Sequence, residues 1–263
     1  MSTAEVTGRF ELALAAAREA GRLTLAYFRS ETLAVEQKDD ASPVTVADRQ
    51  AEEFLRHRIA IEFPDDAILG EELGEQPGKS GYRWILDPID GTKSFVRGVP
   101  LFGTLVGVEH QKRSVIGVIF LPALDECVYA ATGRGAWYVR GEQAPRAARV
   151  SSCAKLSEAL VSTSEMRYPT ERRQQAIGRL VQASRVNRTW GDCYGYMLVA
   201  TGRADVMIDP VMALWDAAAL QPILIEAGGT LTDWQGNDTI YSGEAIATNG
   251  KLLEEVLAIT RGA

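Results

Sequence analysis

Residues 84–92, Trp-Ile-Leu-Asp-Pro-Ile-Asp-Gly-Thr, constrain the fold of this chain more than any other stretch. Tyr82 to Leu86 reads as a strand, and the chain leaves it on the carboxylate of Asp87. Pro88 locks the next backbone step, and Asp90 follows, so a tight turn can aim both carboxylates at one point. The carbonyl of Ile89 sits between them. Gly91 permits close backbone approach, and Thr92 adds a hydroxyl. An oxygen-rich set of this kind suits Mg²⁺. A short helix opening at Gly91-Thr92 would offer its amide groups to a phosphate. Taken alone, the same residues also suit an Asp-Pro, Asp-Gly turn held by Asx hydrogen bonds.

Histidine and cysteine narrow the chemistry further. The 263 residues include two histidines, His57 and His110, so zinc sites built on several histidines are nearly excluded, and a Ser-His-Asp triad would have to use one of these two. The three cysteines, Cys127, Cys153 and Cys193, form no CxxC pair and imply neither a disulfide framework nor a thiolate metal site. A formal net charge of −7 argues against a general nucleic-acid or anionic-membrane binder. The N-terminus lacks a signal design, and no run of 18 apolar residues exists. These features predict a soluble, cytoplasmic protein whose acids, bases and metal ligands are carboxylates.

Along the chain, apolar spacing predicts a helix over about 7–29. A polar loop at 36–42 follows. Thr45 and Asp48 are spaced as a capping box for a helix that runs to about Glu62, with Pro64 closing it. Strands are expected at 67–70 and 82–86, then at 101–109 and 114–121 around a charged turn, then as a hairpin over 127–131 and 136–140. Residues 141–149 are polar, and a domain boundary is placed there. It divides an α+β half, 1–145, for metal and phosphate from an α/β half, 146–263, for substrate recognition. In the second half, strands at 160–163, 204–208 and 230–234 alternate with helices at 169–183, 192–201 and 215–227.

Two more acidic groups stand at predicted element ends: Glu71-Glu72 in Gly-Glu-Glu-Leu-Gly, and Asp216 in Leu-Trp-Asp-Ala-Ala-Ala. Singly, the first suits a solvated loop and the second a helix-start acid facing the positive dipole end. Together with residues 87–92, and in this order, they resemble the signature set of the inositol monophosphatase-like, lithium-sensitive phosphatases. Thr-Val-Ala-Asp at 45–48 and Glu-Ala-Gly-Gly at 226–229 extend the resemblance, which covers about residues 7–250.

That resemblance implies a layered αβαβα sandwich and commonly a homodimer. It implies that Glu71, Asp87, the carbonyl of Ile89, Asp90 and Asp216 ligate two to three Mg²⁺. Thr92, paired with Asp48, would orient and activate the attacking water, with Glu71 counted in the catalytic set and Glu72 supporting it. The amides of Gly91 and Thr92 would hold the phosphate. The implied activity is hydrolysis of a small-molecule phosphate monoester, a reaction whose charge demands explain why no histidine is needed.

The segment 189–210 and the Ala-Ala-Ala-Leu-Gln-Pro-Ile run after Asp216 resemble the histidinol-phosphate phosphatase branch more than the inositol branch. Histidinol phosphate carries an ammonium and an imidazole that is partly protonated near neutral pH, so its site wants anions away from the phosphate. Asp192 and Asp209 are the candidates. Each also fits a structural role, as a helix cap and as a turn former. Trp190 or Tyr194 could stack on an imidazole or simply pack, and Lys93 and Arg97 follow the phosphate loop. An inositol-1-phosphate phosphatase of broad tolerance is the alternative. An enzyme for 3′-phosphoadenosine nucleotides or fructose bisphosphate would want a denser basic surface, and a non-catalytic partner in RNA metabolism would want Lys/Arg runs.

Overall fold

The computed structural model describes residues 3–30, 35–37, 43–165 and 170–261. Two helices, Thr3–Thr24 and Val46–Glu62, pack on one face of an eight-stranded sheet. The second helix starts on the expected capping box: the Thr45 hydroxyl accepts from the Ala47 amide, and Asp48 accepts from the Thr45 amide at 2.8 Å. The sheet runs Arg146–Ala147, Ala136–Arg140, Glu126–Ala131, Arg113–Leu121, Gly103–His110, Tyr82–Asp90, Ala67–Gly70, Gly74–Gln76. All its pairings are antiparallel except that of Ala67–Gly70 with Tyr82–Asp90.

Helices Asp192–Ala200, Leu214–Ala218 and Leu220–Glu226 fill the space between this sheet and a five-stranded one. The latter runs Val186–Arg188, Leu160–Thr163, Val206–Asp209, Ala245–Thr248, Thr230–Thr232, with Ala245–Thr248 antiparallel to both of its neighbours and the first three strands paired in parallel. Helices Glu171–Ala183 and Leu253–Thr260 pack together over its outer face. The layers are therefore αβαβα. The central core takes Ile85, Leu105 and Ile119 from the first sheet and Met197, Leu220, Ile223 and Ala247 from the elements beyond it.

Three departures from the sequence reading have local causes. The helix expected over 215–227 is two helices. Pro222 cannot donate to the carbonyl of Ala218, and the Ser114 hydroxyl takes that carbonyl instead. The first helix stops at Thr24, and a turn carries the chain on to Arg29, which has a positive φ. The polar stretch begins as a short strand, Val35–Gln37, and residues 38–42 lie outside the described residues. Strands Val186–Arg188 and Ala245–Thr248 and helix Leu253–Thr260 were not expected. Ala245–Thr248 is buried throughout and so carries no alternation to read.

Candidate active site

The strand that begins at Tyr82 does not end at Leu86 but continues through Pro88 to Asp90. Against Gly103–His110, Asp87 stands opposite Leu105 and Asp90 opposite Gly103, so three steps on one strand match two on the other. This is the signature of a β-bulge. In a regular strand, residues three apart point to opposite faces. The extra residue cancels that alternation and turns both carboxylates to one side. The Thr104 hydroxyl donates to the Pro88 carbonyl at 2.8 Å, which secures the irregular step. Gly91 then adopts φ 81 and opens the short helix Thr92–Val96. A Cβ there would meet the Leu101 carbonyl at 3.0 Å and Asp192 Oδ2 at 3.1 Å, so glycine is required on both counts.

Asp216 arrives from the helix Leu214–Ala218, held by the Ala213 amide at 2.7 Å. One carboxylate oxygen from each of Asp87, Asp90 and Asp216 lies within 4.8 Å of the others. Burial, then the charges of Glu71, Asp90 and Asp216, hold the Asp87 carboxyl well above its ordinary range. Burial, then Asp192 and Asp216, do the same to Asp90, although the Cys193 amide donates to it. Burial pushes Asp216 up to about 7 against its hydrogen bond from Ala213. Asp87 Oδ1 is buried without a hydrogen-bond partner. Three crowded carboxylates with an orphaned oxygen among them call for a hard cation, and oxygen donors of this kind suit Mg²⁺.

Glu71 follows the Ala67–Gly70 strand and lines the same cavity as Asp87, whose carboxyl its charge helps to raise. The turn that carries it is held by a residue the sequence reading missed. Glu52, fully buried in the second helix, accepts from the amides of Glu72 at 2.7 Å and Leu73 at 3.2 Å and pairs with Arg56 at 2.8 Å. A Cβ on Gly70 would stand 2.0 Å from Glu52 Oε1. The i,i+4 pair with Arg56 reads only as a helix-surface ion pair, and the amides that Glu52 holds lie 20 and 21 residues onward in another element.

The expected Thr92–Asp48 pair is not formed. The Thr92 hydroxyl donates to the Ile89 carbonyl at 2.9 Å, and Asp48 Oδ2 accepts from both the amide and the hydroxyl of Thr45. The capping geometry claims that oxygen. Asp48 Oδ1 remains buried without a partner, and burial, outweighing the Thr45 hydrogen bonds, lifts the carboxyl to about 6.

A cavity of about 210 Å³ is lined by Glu71, Asp87, Ile89, Asp90, Gly91, Thr92, Lys93, Asp192 and Asp216. Beside it, a smaller one of about 110 Å³ shares Asp90, Asp192 and Asp216 and adds Ser164, Glu165, Tyr196 and Asp209. The second wall comes from the carboxyl ends of two parallel strands, Leu160–Thr163 and Val206–Asp209. Asp192 begins its helix at φ 52, and its amide donates to Ser164 Oγ at 2.7 Å. Gly191 packs so closely that a Cβ would lie 2.3 Å from Ser164 Cα. Asp209 accepts from the Ser164 amide at 3.1 Å and from the Tyr196 hydroxyl at 2.9 Å. Burial, then the charge of Asp209, pushes Asp192 to about 6, while Lys93 pulls the other way. Burial also raises Asp209, against its two hydrogen bonds.

Ser164, Glu165 and Tyr196 join the site without any sequence signal beyond their positions near strand and helix ends. Trp190 and Tyr194 line neither cavity: Trp190 is exposed, and Tyr194 packs on the central core. Arg97 caps the short helix and is exposed, and Glu72 lines neither cavity.

The family model for the inositol monophosphatase family matches residues 7–262. The chain is 43% identical to a histidinol-phosphatase of Chlorobaculum parvum over 92% of each chain. It is 41% identical to a histidinol-phosphatase of Mycobacterium tuberculosis, over 94% of this chain and 95% of that one. Among solved structures, the extragenic suppressor protein suhB of Bartonella henselae superposes with a TM-score of 0.89 at 29% identity, covering 97% of this chain and 99% of that one. A bulged strand aiming two acids at a third, inside five alternating layers, thus has relatives along its full length: the chain belongs to the inositol monophosphatase family.

Proposed function

We propose that this protein is a Mg²⁺-dependent phosphoric monoester hydrolase that releases phosphate from L-histidinol phosphate. The observation that carries the reading is the adjacency of two acidic sets. One, Asp87, Asp90 and Asp216, has the crowding and the orphaned oxygen that a hard cation relieves. The other, Asp192 and Asp209, lines the adjoining cavity, with Asp192 on the wall the two cavities share, beside Gly91, and Asp209 in the smaller cavity alone, where a substrate cation would sit. The similarity to the two histidinol-phosphatases points the same way.

Glu71, Asp87, the Ile89 carbonyl, Asp90 and Asp216 are the residues we assign to two to three Mg²⁺. Bound there, the metal would supply positive charge to the phosphate dianion and acidity to a bound water. The chain's own groups do the rest. Gly91 and Thr92 place main-chain amides at the cavity wall for the phosphate oxygens. Asp48, with its unpartnered Oδ1 and a carboxyl near 6, is suited to take a proton close to neutral pH. Thr92 shares the Ile89 carbonyl and positions that corner of the cavity. Asp192 and Asp209 attract the ammonium and imidazolium; the Ser164 amide and Tyr196 hydroxyl hold the Asp209 carboxylate, and the Ser164 hydroxyl holds the Asp192 backbone.

An inositol-1-phosphate phosphatase is the second reading, favoured by the family to which the chain belongs. Phosphate release from L-histidinol phosphate and from inositol 1-phosphate, measured side by side in Mg²⁺, separates the two. Equal or faster release from inositol phosphate overturns the first. We also assign a homodimer and a cytoplasmic location. No helix among the described residues is long and apolar enough to cross a membrane.

A further inference from the structure

A protein cation already stands where the two cavities meet. Lys93 lines the larger cavity and Glu165 the smaller one, and Lys93 Nζ lies 2.6 Å from Glu165 Oε1. The Lys93 charge also reaches Asp192, where it favours the ionised carboxylate. This ammonium is therefore paired with Glu165 and shares a cavity wall with Asp192. Both partners of the ion pair are exposed, at 73% and 49% of their side-chain surfaces. A pair of that kind contributes only about 0–1 kcal/mol, so it exchanges easily. The main chain beneath it does not: Ser164, the preceding residue, is tied through its amide to Asp209 and through its hydroxyl to Asp192.

We infer that Glu165 is a specificity-determining residue: with Asp192 it seats the substrate's cation, and Lys93 is an internal place-holder that the substrate displaces towards its phosphate. The inference rests on the reading of a cationic phosphate ester. Such a ligand carries both charges the exchange requires. Its ammonium or imidazolium takes over Glu165, and its phosphate receives the displaced Lys93 on the Gly91-Thr92 side of the cleft. A neutral polyol phosphate offers nothing for Glu165, so it gains Lys93 only by leaving that carboxylate without its partner. The discrimination is one of charge and does not depend on the shape of the ring.

The test uses the Mg²⁺-loaded protein and two variants at exposed positions, Glu165→Gln and Lys93→Met. Three readouts are taken: calorimetric binding of L-histidinol, inhibition by inorganic phosphate, and KM and kcat for histidinol phosphate and β-glycerophosphate. Glu165→Gln is expected to weaken histidinol binding and raise KM for histidinol phosphate by roughly tenfold, with kcat and the KM for β-glycerophosphate moving by less than about threefold. Lys93→Met should split the other way, with tighter histidinol binding and weaker phosphate inhibition. Histidinol binding that is unchanged in Glu165→Gln, or weakened in Lys93→Met, overturns the inference. If the unmodified protein prefers inositol phosphate, the proposed function fails, and histidinol binding still decides the fate of the cation seat. If it prefers histidinol phosphate while Glu165→Gln changes neither binding nor KM, only the seat is lost.

Discussion

The two acidic sets of the cleft are built on opposite principles. Burial raises the carboxyls of both, but Asp87, Asp90 and Asp216 also crowd together with one buried oxygen left unpartnered. Asp209 has both carboxylate oxygens hydrogen-bonded, by the Ser164 amide and the Tyr196 hydroxyl, and Asp192 has its backbone locked by Ser164. The repulsion within the first set is what an external cation would relieve. In the second, Asp209 is satisfied by its own protein and the Asp192 backbone is fixed, so their placement does not depend on a bound cation.

The sharpest way to break this contrast is Asp87→Asn. It should lower kcat/KM by at least on the order of 10³-fold, since a ligand and a charge are lost together. The same change should raise the melting temperature of the chelator-treated protein, because it relieves crowding that the fold sustains for function. Loss of both activity and stability would mean that the set is structural. Next in size is Gly70→Ala. Its Cβ would displace Glu52 and release the turn bearing Glu71, so activity and Mg²⁺ affinity should fall by about 10–100-fold, the range for partners that orient metal ligands.

On the satisfied side, Asp192→Asn should raise KM for histidinol phosphate by roughly tenfold with a smaller change in kcat. Asp209→Asn should also lower unfolding free energy in denaturant titration by about 1 kcal/mol, because two internal bonds depend on its oxygens. A stability cost confined to Asp192 would reverse the assignment.

The smallest effect is one of pH. The Asp216 carboxyl rises on folding from 3.8 to about 7. A group raised in this way contributes its full stability below the unfolded value and loses it as pH climbs to the folded one. The chelated protein should therefore melt several degrees lower at pH 7.5 than at pH 5, and added Mg²⁺ should restore more at pH 7.5 than at pH 5. Asp216→Asn should flatten the trend, and a melting temperature that climbs over this interval would contradict the crowding argument.

Local chemistry was legible where the residues that make it are neighbours in the chain. The Thr45-x-x-Asp48 cap needs only one helical turn, and its hydrogen bonds form as its spacing predicts. The expected Thr92–Asp48 pair is not formed because the Thr92 hydroxyl donates to the Ile89 carbonyl and Asp48 Oδ2 is held by Thr45, which leaves Oδ1 buried without a partner. A single sequence offers two partners for Asp48, and only packing selects between them. Pro222 was visible too, yet the Ala218 carbonyl it leaves free is satisfied by the hydroxyl of Ser114, 104 residues before Ala218.

The sequence by itself determined which groups could meet a cation: the order Glu71, Asp87, Asp90, Asp216 and the glycine after Asp90 are properties of contiguous or signature-spaced residues. The tertiary structure decided how they meet. The bulge that turns Asp87 and Asp90 to one side exists only in register with Gly103–His110. Glu52 under the Glu71 turn, Tyr196 on Asp209, and Lys93 across the cleft on Glu165 join residues from 13 to 72 positions apart. The physical reason is that a side chain's chemistry travels with its residue, whereas its partners are set by which elements the buried layers bring together.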